Sequence, residues 1–335
     1  MSFALNRRVA LATAAFAAAT IGIKPAQAQA KKKQIKISTA TAADLGNDNY
    51  MVCWTMMNYI NQFSDTLEAR IYAAGALGEE RSVVEAMQLG SGASAHIGGT
   101  AIHNNFNKRI GVLDLPFMWR DYDHFHKVAE GPVGKTLTEE HEKLGLKIIG
   151  WQDSWGFRHV ITTKKEVKSA ADLKGLKIRT IQTPTYVAAL NAMGAAATPM
   201  AFGEVYTGLQ TGVLDGFEHS SAITYSNKFY EVSKYMALTG HLFGGTITAY
   251  SKKEWEGYTD AERKIVGEAA KLGQDINRAL SVVRDQESLE LLKGKGMVIS
   301  KIDTAGFVAA AGPVQDELAE KLGAKDLLKI IRETK

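Results

Sequence analysis

Segments of period-two hydrophobicity alternate along this chain with segments of helical period, and that alternation constrains the fold more than any other feature. "QIKIS" sets Ile35 and Ile37 between polar residues, as a half-buried strand does. After a polar loop, Tyr50, Trp54, Met57 and Ile60 recur at helical spacing, and "LEARIY" then alternates Leu67, Ala69 and Ile71. "GEERSVVEAMQLGSG" reads as a helix stopped by Gly90, and "ASAHI" as the next strand. Strands that take turns with helices predict a largely parallel α/β sheet.

The pattern echoes in the second half. "EAMQLGSGASAH" resembles "TGLQTGVLDGFEH": a helix end, a Gln, a glycine stop, then a strand. Two similarly built α/β lobes are therefore expected. From Thr259 the pattern changes. "TDAE" is a capping box, with Thr259 as N-cap and Glu262 reaching back. A long helix follows through Ile265, Ala269, Leu272, Ile276, Leu280 and Val283 to about Leu292, and "GKG" ends it before a strand at "MVIS". A helix of that length can cross between two lobes and brace both.

The first 30 residues read differently. Arg7 and Arg8 precede an apolar run from Val9 to Ile23, with small-residue cleavage options at Ala28 or Ala30. This is the pattern of a secretory signal peptide, too short for a comfortable membrane span. The paired arginines fit a twin-arginine signal and an ordinary secretory signal equally. The segment holds Arg7, Arg8 and Lys24 and no acid, so its removal lowers Lys+Arg from 40 to 37 against 36 Asp+Glu. A mature charge near neutral gives no support for a nucleic-acid or membrane-surface partner, despite a whole-chain pI of 8.9. Cys53 is the single cysteine, so no intramolecular disulfide forms; beside Trp54 with no cation nearby, it reads as a small buried hydrophobe.

The sequence carries no G-x-S-x-G elbow, no Walker A loop, no G-x-G-x-x-G after a strand and no H-E-x-x-H. His124 and His126 lie at a helix start where they face different ways, and the histidines show no zinc-ligand spacing, so neither a metal nor a cofactor is expected. Two arginines stand out. Arg158 in "WGFRHVIT" follows Trp151 and Trp155, and Arg179 ends "LKIR" before the turn at Pro184. Both sit by short strands, where an open α/β sheet places its ligands. A guanidinium meets a carboxylate with two parallel hydrogen bonds. Spacing alone favours a pairing with a structural carboxylate or with water, and leaves the ligand role open. Phe202, Phe217, Tyr225, Trp151 and Trp155 can wall a small-ligand pocket or belong to the core.

The blocks "GALGEERSVVEAMQLG", "FRHVITTKKEVKSAADLKGLKIR", "TPMAFGEVYTGLQTGVLDG" and "KFYEVSKYMALTGH", in this order behind a signal peptide, resemble the solute receptors of tripartite ATP-independent periplasmic (TRAP) transporters, the DctP-like family. The resemblance covers essentially the whole mature chain. It implies a two-lobe periplasmic binding protein fold with interwoven lobes and a long helix spanning both. It further implies a monomeric periplasmic receptor, not an enzyme, whose lobes close on a small organic acid and deliver it to a membrane permease. The expected lobes are residues 31–155 with about 243–284, and 156–242 with about 285–335. Arg179 matches the family arginine that clamps the ligand carboxylate, Arg158 a second family arginine, Phe202 the aromatic that packs on the ligand, and Gly216 and Glu218 a "DG-x-E" turn. Trp155 joins these as a candidate wall. His219 stands where many relatives have an Asn that bonds the ligand, and it either contacts a second ligand oxygen or packs beneath the cleft. "TATAADLGNDNY" and "HIGGTAIHNN" are expected along the first-lobe side. A hydroxy- or sugar acid is favoured over a plain C4-dicarboxylate. The readings from other classes are an exported enzyme acting on a sugar acid through Glu218 and His219, and a ligand-presenting accessory to a sensor.

Overall fold

The strand–helix alternation resolves into two sheets between which the chain crosses three times, twice from strand to strand and once through the long helix. The computed structural model describes residues 31–335, so the expected signal peptide and its cleavage site lie outside the described residues. Lys33–Lys335 forms one compact unit. The first sheet takes β1 (Lys33–Ser38), β2 (Leu67–Tyr72), β3 (Ala95–Gly99), β4 (Leu146–Gln152) and β10 (Thr246–Ser251), in the order β2-β1-β3-β10-β4. The second takes β5 (Phe157–Thr162), β6 (Lys177–Thr180), β7 (Ala196–Pro199), β8 (Gly216–His219), β9 (Tyr235–Phe243) and β11 (Val298–Ser300), in the order β11-β9-β5-β8-β6-β7.

The echo seen in the sequence is topological. β1 lies parallel to β2 and β3, and β3 is antiparallel to β10; likewise β6 lies parallel to β7 and β8, and β8 is antiparallel to β5. Each sheet borrows its antiparallel neighbour across a crossing, β4 to β5 or β9 to β10, which interweaves the two halves. β3 is buried along its whole length, so its Ala95-His-Ile-Gly-Gly run places His96 and Gly98 on one face.

Helix α1 (Asp48–Phe63) is capped by Asn47 and buries Val52, Cys53, Met56 and Ile60 against the first sheet. Its Trp54, read as part of the apolar face, is instead 42% exposed. Cys53 is fully buried, and burial pushes its thiol far above the usual range. Helix α2 (Glu80–Gln88) leads into β3, helix α3 (Tyr122–Glu130) carries His124 and His126, and helix α4 (Pro184–Ala192) follows β6. His124 bonds the Ile331 carbonyl and His126 the Asp153 carboxylate, so the two face different partners.

Helix α5 (Ser221–Ser226) follows β8, and α6 (Asp260–Gly294) runs for 35 residues, about 50 Å at the helical rise. The Thr259–Glu262 capping box starts α6 as expected. Near that end Lys33 pairs with Glu262 and the Tyr59 hydroxyl bonds Glu268; farther along Arg284 pairs with Asp48, and Ser221 of α5 donates to the Asp285 carbonyl. The helix thus touches elements of both sheets. Its buried face is not the expected apolar stripe: Leu272 and Val283 are exposed, and Gly273, Gln274, Asn277 and Ser281 are buried. The reason is the β4–β5 crossing beneath it. Gln274 Oε1 accepts from the Trp151 N–H, Asn277 Oδ1 from the Asp153 N–H, and the Ser281 hydroxyl donates to Asp153. Buried backbone between two sheets needs such partners. The crossing turns at Gly156, with φ +48°, where a Cβ would fall 2.1 Å from the Tyr122 hydroxyl.

Candidate functional site

The parallel strands of both sheets end on a common cavity of about 280 Å³. Ala40 follows β1, Ala74 and Gly75 follow β2, and Ile102 follows β3; from the other side Ile181 and Gln182 follow β6, and Met200 and Phe202 follow β7. Ligands in open α/β sheets bind beyond the carboxyl ends of strands, and two such sheets face one another here. A smaller adjoining cavity shares Arg179, Phe202 and Glu80 with the first and adds Thr41, Trp155 and His219.

Arg179, on β6, is 3% exposed. Its Nε and Nη2 donate to the Met200 carbonyl at 2.9 and 2.7 Å, whereas Nη1 has no acceptor among the described residues. One edge of the guanidinium is thereby anchored, and the Nη1 side is left for an acceptor. Phe202 lies 5.9 Å from the guanidinium carbon. Burial lowers the Arg179 pKa to about 10, with the Arg158 cation adding to the fall and Glu218 opposing it. It is still a cation at neutral pH.

Arg158 is placed differently. It has no exposed surface, and its fork closes on Glu218, Nε to Oε2 at 2.5 Å and Nη2 to Oε1 at 2.8 Å, with a further bond to the Glu218 carbonyl. The rings of Trp155 and Tyr186 each lie 5.3 Å from its guanidinium carbon. Glu218 also accepts from the Thr180 hydroxyl and lies 3.8 Å from His241. Neither Arg158 nor Glu218 lines the cavities, so the carboxylate available to Arg158 is a structural one. A Glu218–His219 acid–base pair is not assembled either, because both Glu218 oxygens are engaged.

His219 ends β8 and stands edge-on to Trp155 and Phe202, with ring centroids 5.2 and 5.8 Å away. Its Nδ1 accepts from the Ser220 N–H at 2.9 Å, which puts the ring proton on Nε2. Nε2 faces Arg158 Nη1 at 3.5 Å, so two donors meet with no acceptor between them. Burial, then the Arg158 and Arg179 cations, hold His219 well below the usual histidine range and keep it neutral. The Trp155 indole N–H is likewise buried without a partner. Arg179 and Trp155 therefore bring two unanswered donors to the lining of the smaller cavity, which His219 also lines while its Nε2 faces Arg158.

Trp151, Phe217 and Tyr225 do not line either cavity; Phe217 stacks on Phe229 and Tyr225 on Tyr230. The sequence reading missed Glu79 and Glu80, which line the larger cavity from the start of α2. They sit inside a quoted block but register there only as a helix start. The signal was positional: they follow the carboxyl end of β2, where this fold gathers ligand contacts.

Comparisons with known proteins agree with this geometry. The family model for the bacterial extracellular solute-binding protein family 7, DctP, matches residues 59–322. The chain is 38% identical over 256 residues, 76% of each chain, to a solute-binding protein of Verminephrobacter eiseniae. It is 32% identical over 272 residues, 80% of this chain and 82% of the relative, to the 2,3-diketo-L-gulonate-binding periplasmic protein YiaO of Escherichia coli. A TRAP periplasmic solute-binding protein from Polaromonas sp. JS666, bound to D-erythronate, superimposes with a TM-score of 0.85 at 29% identity, covering 91% of this chain and 99% of that one. Two sheets bridged by one long helix, a cavity between their strand ends, and a family match over most of the sequence together place this chain in the DctP family of TRAP solute-binding receptors.

Proposed function

We propose that this protein is a periplasmic receptor for a hydroxy- or sugar acid that carries one carboxylate, and that it hands the closed complex to a TRAP permease. The observation that carries this reading is Arg179: a buried cation on a cavity wall with Nη1 unpaired among the described residues, beside a further unpaired donor on Trp155 and the neutral ring of His219. A cation and a neutral donor in a low-dielectric cleft require an anionic acceptor, and a carboxylate offers four lone-pair positions. Arg158 acts through position, holding Glu218 and backing His219 and Trp155. Relatives whose ligands are D-erythronate and 2,3-diketo-L-gulonate support the hydroxylated-acid class.

In this reading the lobes comprise residues 31–155 with about 243–284, and 156–242 with about 285–335, and they close about the β4–β5 and β9–β10 crossings as a monomer. Export follows cleavage near Ala28 or Ala30. Closure excludes water, without which the Arg179 contact is weak. A thermal-shift screen of organic acids on the mature protein tests the proposal. A ligand at 100 times its dissociation constant adds about 2.7 kcal/mol of stability. Stabilisation by neutral sugars or amino acids, with none by hydroxy acids, refutes it.

A further inference from the structure

We infer that Glu80, oriented by His96, reads the end of the ligand remote from its carboxylate and makes the receptor reject a second carboxylate. The inference rests on the receptor reading above and extends it to a specificity device. Glu80 lines both cavities together with Arg179, so one wall system carries a fixed cation and a fixed carboxylate. No salt bridge joins the two among the described residues: Arg179 is anchored on Met200, and Glu80 Oε1 lies 3.3 Å from His96 Nε2. Opposite charges that share a cavity without pairing leave room for a ligand that answers both.

The Glu80–His96 contact is built into the sheet. His96 is 1% exposed on β3, wedged in the fully buried strand, and the Glu80 side chain is 13% exposed. Gly98, on the same strand face, makes the approach possible, because a Cβ there would fall 2.4 Å from His96 Nε2 and 2.9 Å from Glu80 Oε1. A carboxylate oxygen only accepts, so the His96 proton sits on Nε2 and points at Glu80, while Nδ1 has no partner. His96 thus fixes one oxygen of Glu80 and leaves the second, Oε2, without a hydrogen bond among the described residues.

An acceptor presented to the cavity selects a donor. A hydroxyl satisfies it, whereas a carboxylate meets it lone pair to lone pair, with Glu79 on the same wall adding to the repulsion. Arg179 therefore takes the one carboxylate, and Glu80 takes a hydroxyl farther along the chain of the ligand. Aldonates fit this arrangement and the matching dicarboxylic aldarates do not. His96 is a positioning residue, acting through Glu80.

D-gluconate and D-glucarate differ only at the terminal carbon, hydroxymethyl in one and carboxylate in the other. Isothermal titration of the mature protein with both is expected to favour gluconate by about ten-fold or more, one decade being about 1.4 kcal/mol. Glu80→Gln is expected to collapse that ratio towards unity, and His96→Leu to shift it the same way, while His96→Asn, which keeps a donor, retains most of it. D-glycerate, which has no carbon beyond C3 to carry a remote group, is expected to bind the wild type and all three variants alike. Equal affinity for gluconate and glucarate in the wild type, or a ratio untouched by Glu80→Gln, overturns the inference and leaves the receptor reading standing. Failure of every acid to bind the wild type overturns both.

Discussion

Arg158 and Glu218 form a two-bond ion pair in which neither side chain has any exposed surface. Burial works against the Arg158 charge, but Glu218, with Tyr186 and Asp114 adding to it, outweighs burial and moves the guanidinium pKa up. The pair sits behind Trp155 and His219, which line the smaller cavity, and so governs their placement. Breaking a buried pair from one side leaves an uncompensated charge. Glu218→Gln is therefore expected to lower the unfolding free energy by about 3–5 kcal/mol, measured by urea denaturation. A loss below about 1 kcal/mol, the range of exposed pairs, contradicts the buried-pair account.

His219 and Arg179 are expected to add no pH dependence to affinity between about pH 6 and 7.5, because neither titrates there. His219 is held well below the usual histidine range, chiefly by burial, so it is neutral throughout, and Arg179, at about 10, is charged throughout. Were His219 a cationic contact, it would gain its proton as the pH falls through the usual histidine range, and binding would tighten towards acid. Titration calorimetry at several pH values in that window separates the two.

Asp114 supplies a pH signature for stability. It is fully buried, with Oδ1 accepting from the Thr100 hydroxyl and Oδ2 unpaired, and burial raises its pKa from 3.8 to about 8. For an acid raised in the folded state, the unfolded chain binds fewer protons between those two values, so its contribution falls as the pH rises through that window. Asp114→Asn removes the effect. The variant is expected to match the wild type near pH 4 and to gain on it by about 1.4 kcal/mol per pH unit up to pH 8, read from denaturation at each pH. A difference that stays constant with pH contradicts the assignment.

Much of the fold was legible in the sequence because its elements announce themselves locally. β1, β2, the stop at Gly90 and the Thr259–Glu262 box all depend on neighbours within a few residues. The face of a helix was less legible. Leu272 and Val283 are apolar and exposed, whereas Gln274, Asn277 and Ser281 are polar and buried, because the backbone N–H groups of Trp151 and Asp153 need acceptors and the buried Asp153 carboxylate needs a donor. That requirement arises only once two sheets are side by side. The site divides in the same way. Spacing favoured a structural carboxylate or water for each arginine, and Arg158 has a carboxylate in Glu218, while Arg179 is anchored by the Met200 carbonyl instead. No local pattern distinguishes the two. Glu80 was passed over because a glutamate in the first turn of a helix is ordinary there, and its place opposite Arg179 depends on how the strand ends meet.

The most direct measurement is the affinity of Arg179→Lys for whichever hydroxy acid stabilises the wild type. Lysine keeps the charge but loses the planar fork, so once its compact ammonium bonds the Met200 carbonyl no donor is held rigidly at the Nη1 position. Calorimetry is expected to show a loss of about 100-fold or more, on the order of 3 kcal/mol, in a variant that is still folded by circular dichroism. Affinity within about two-fold of the wild type would contradict the account, because the carboxylate would then be held somewhere other than at Arg179.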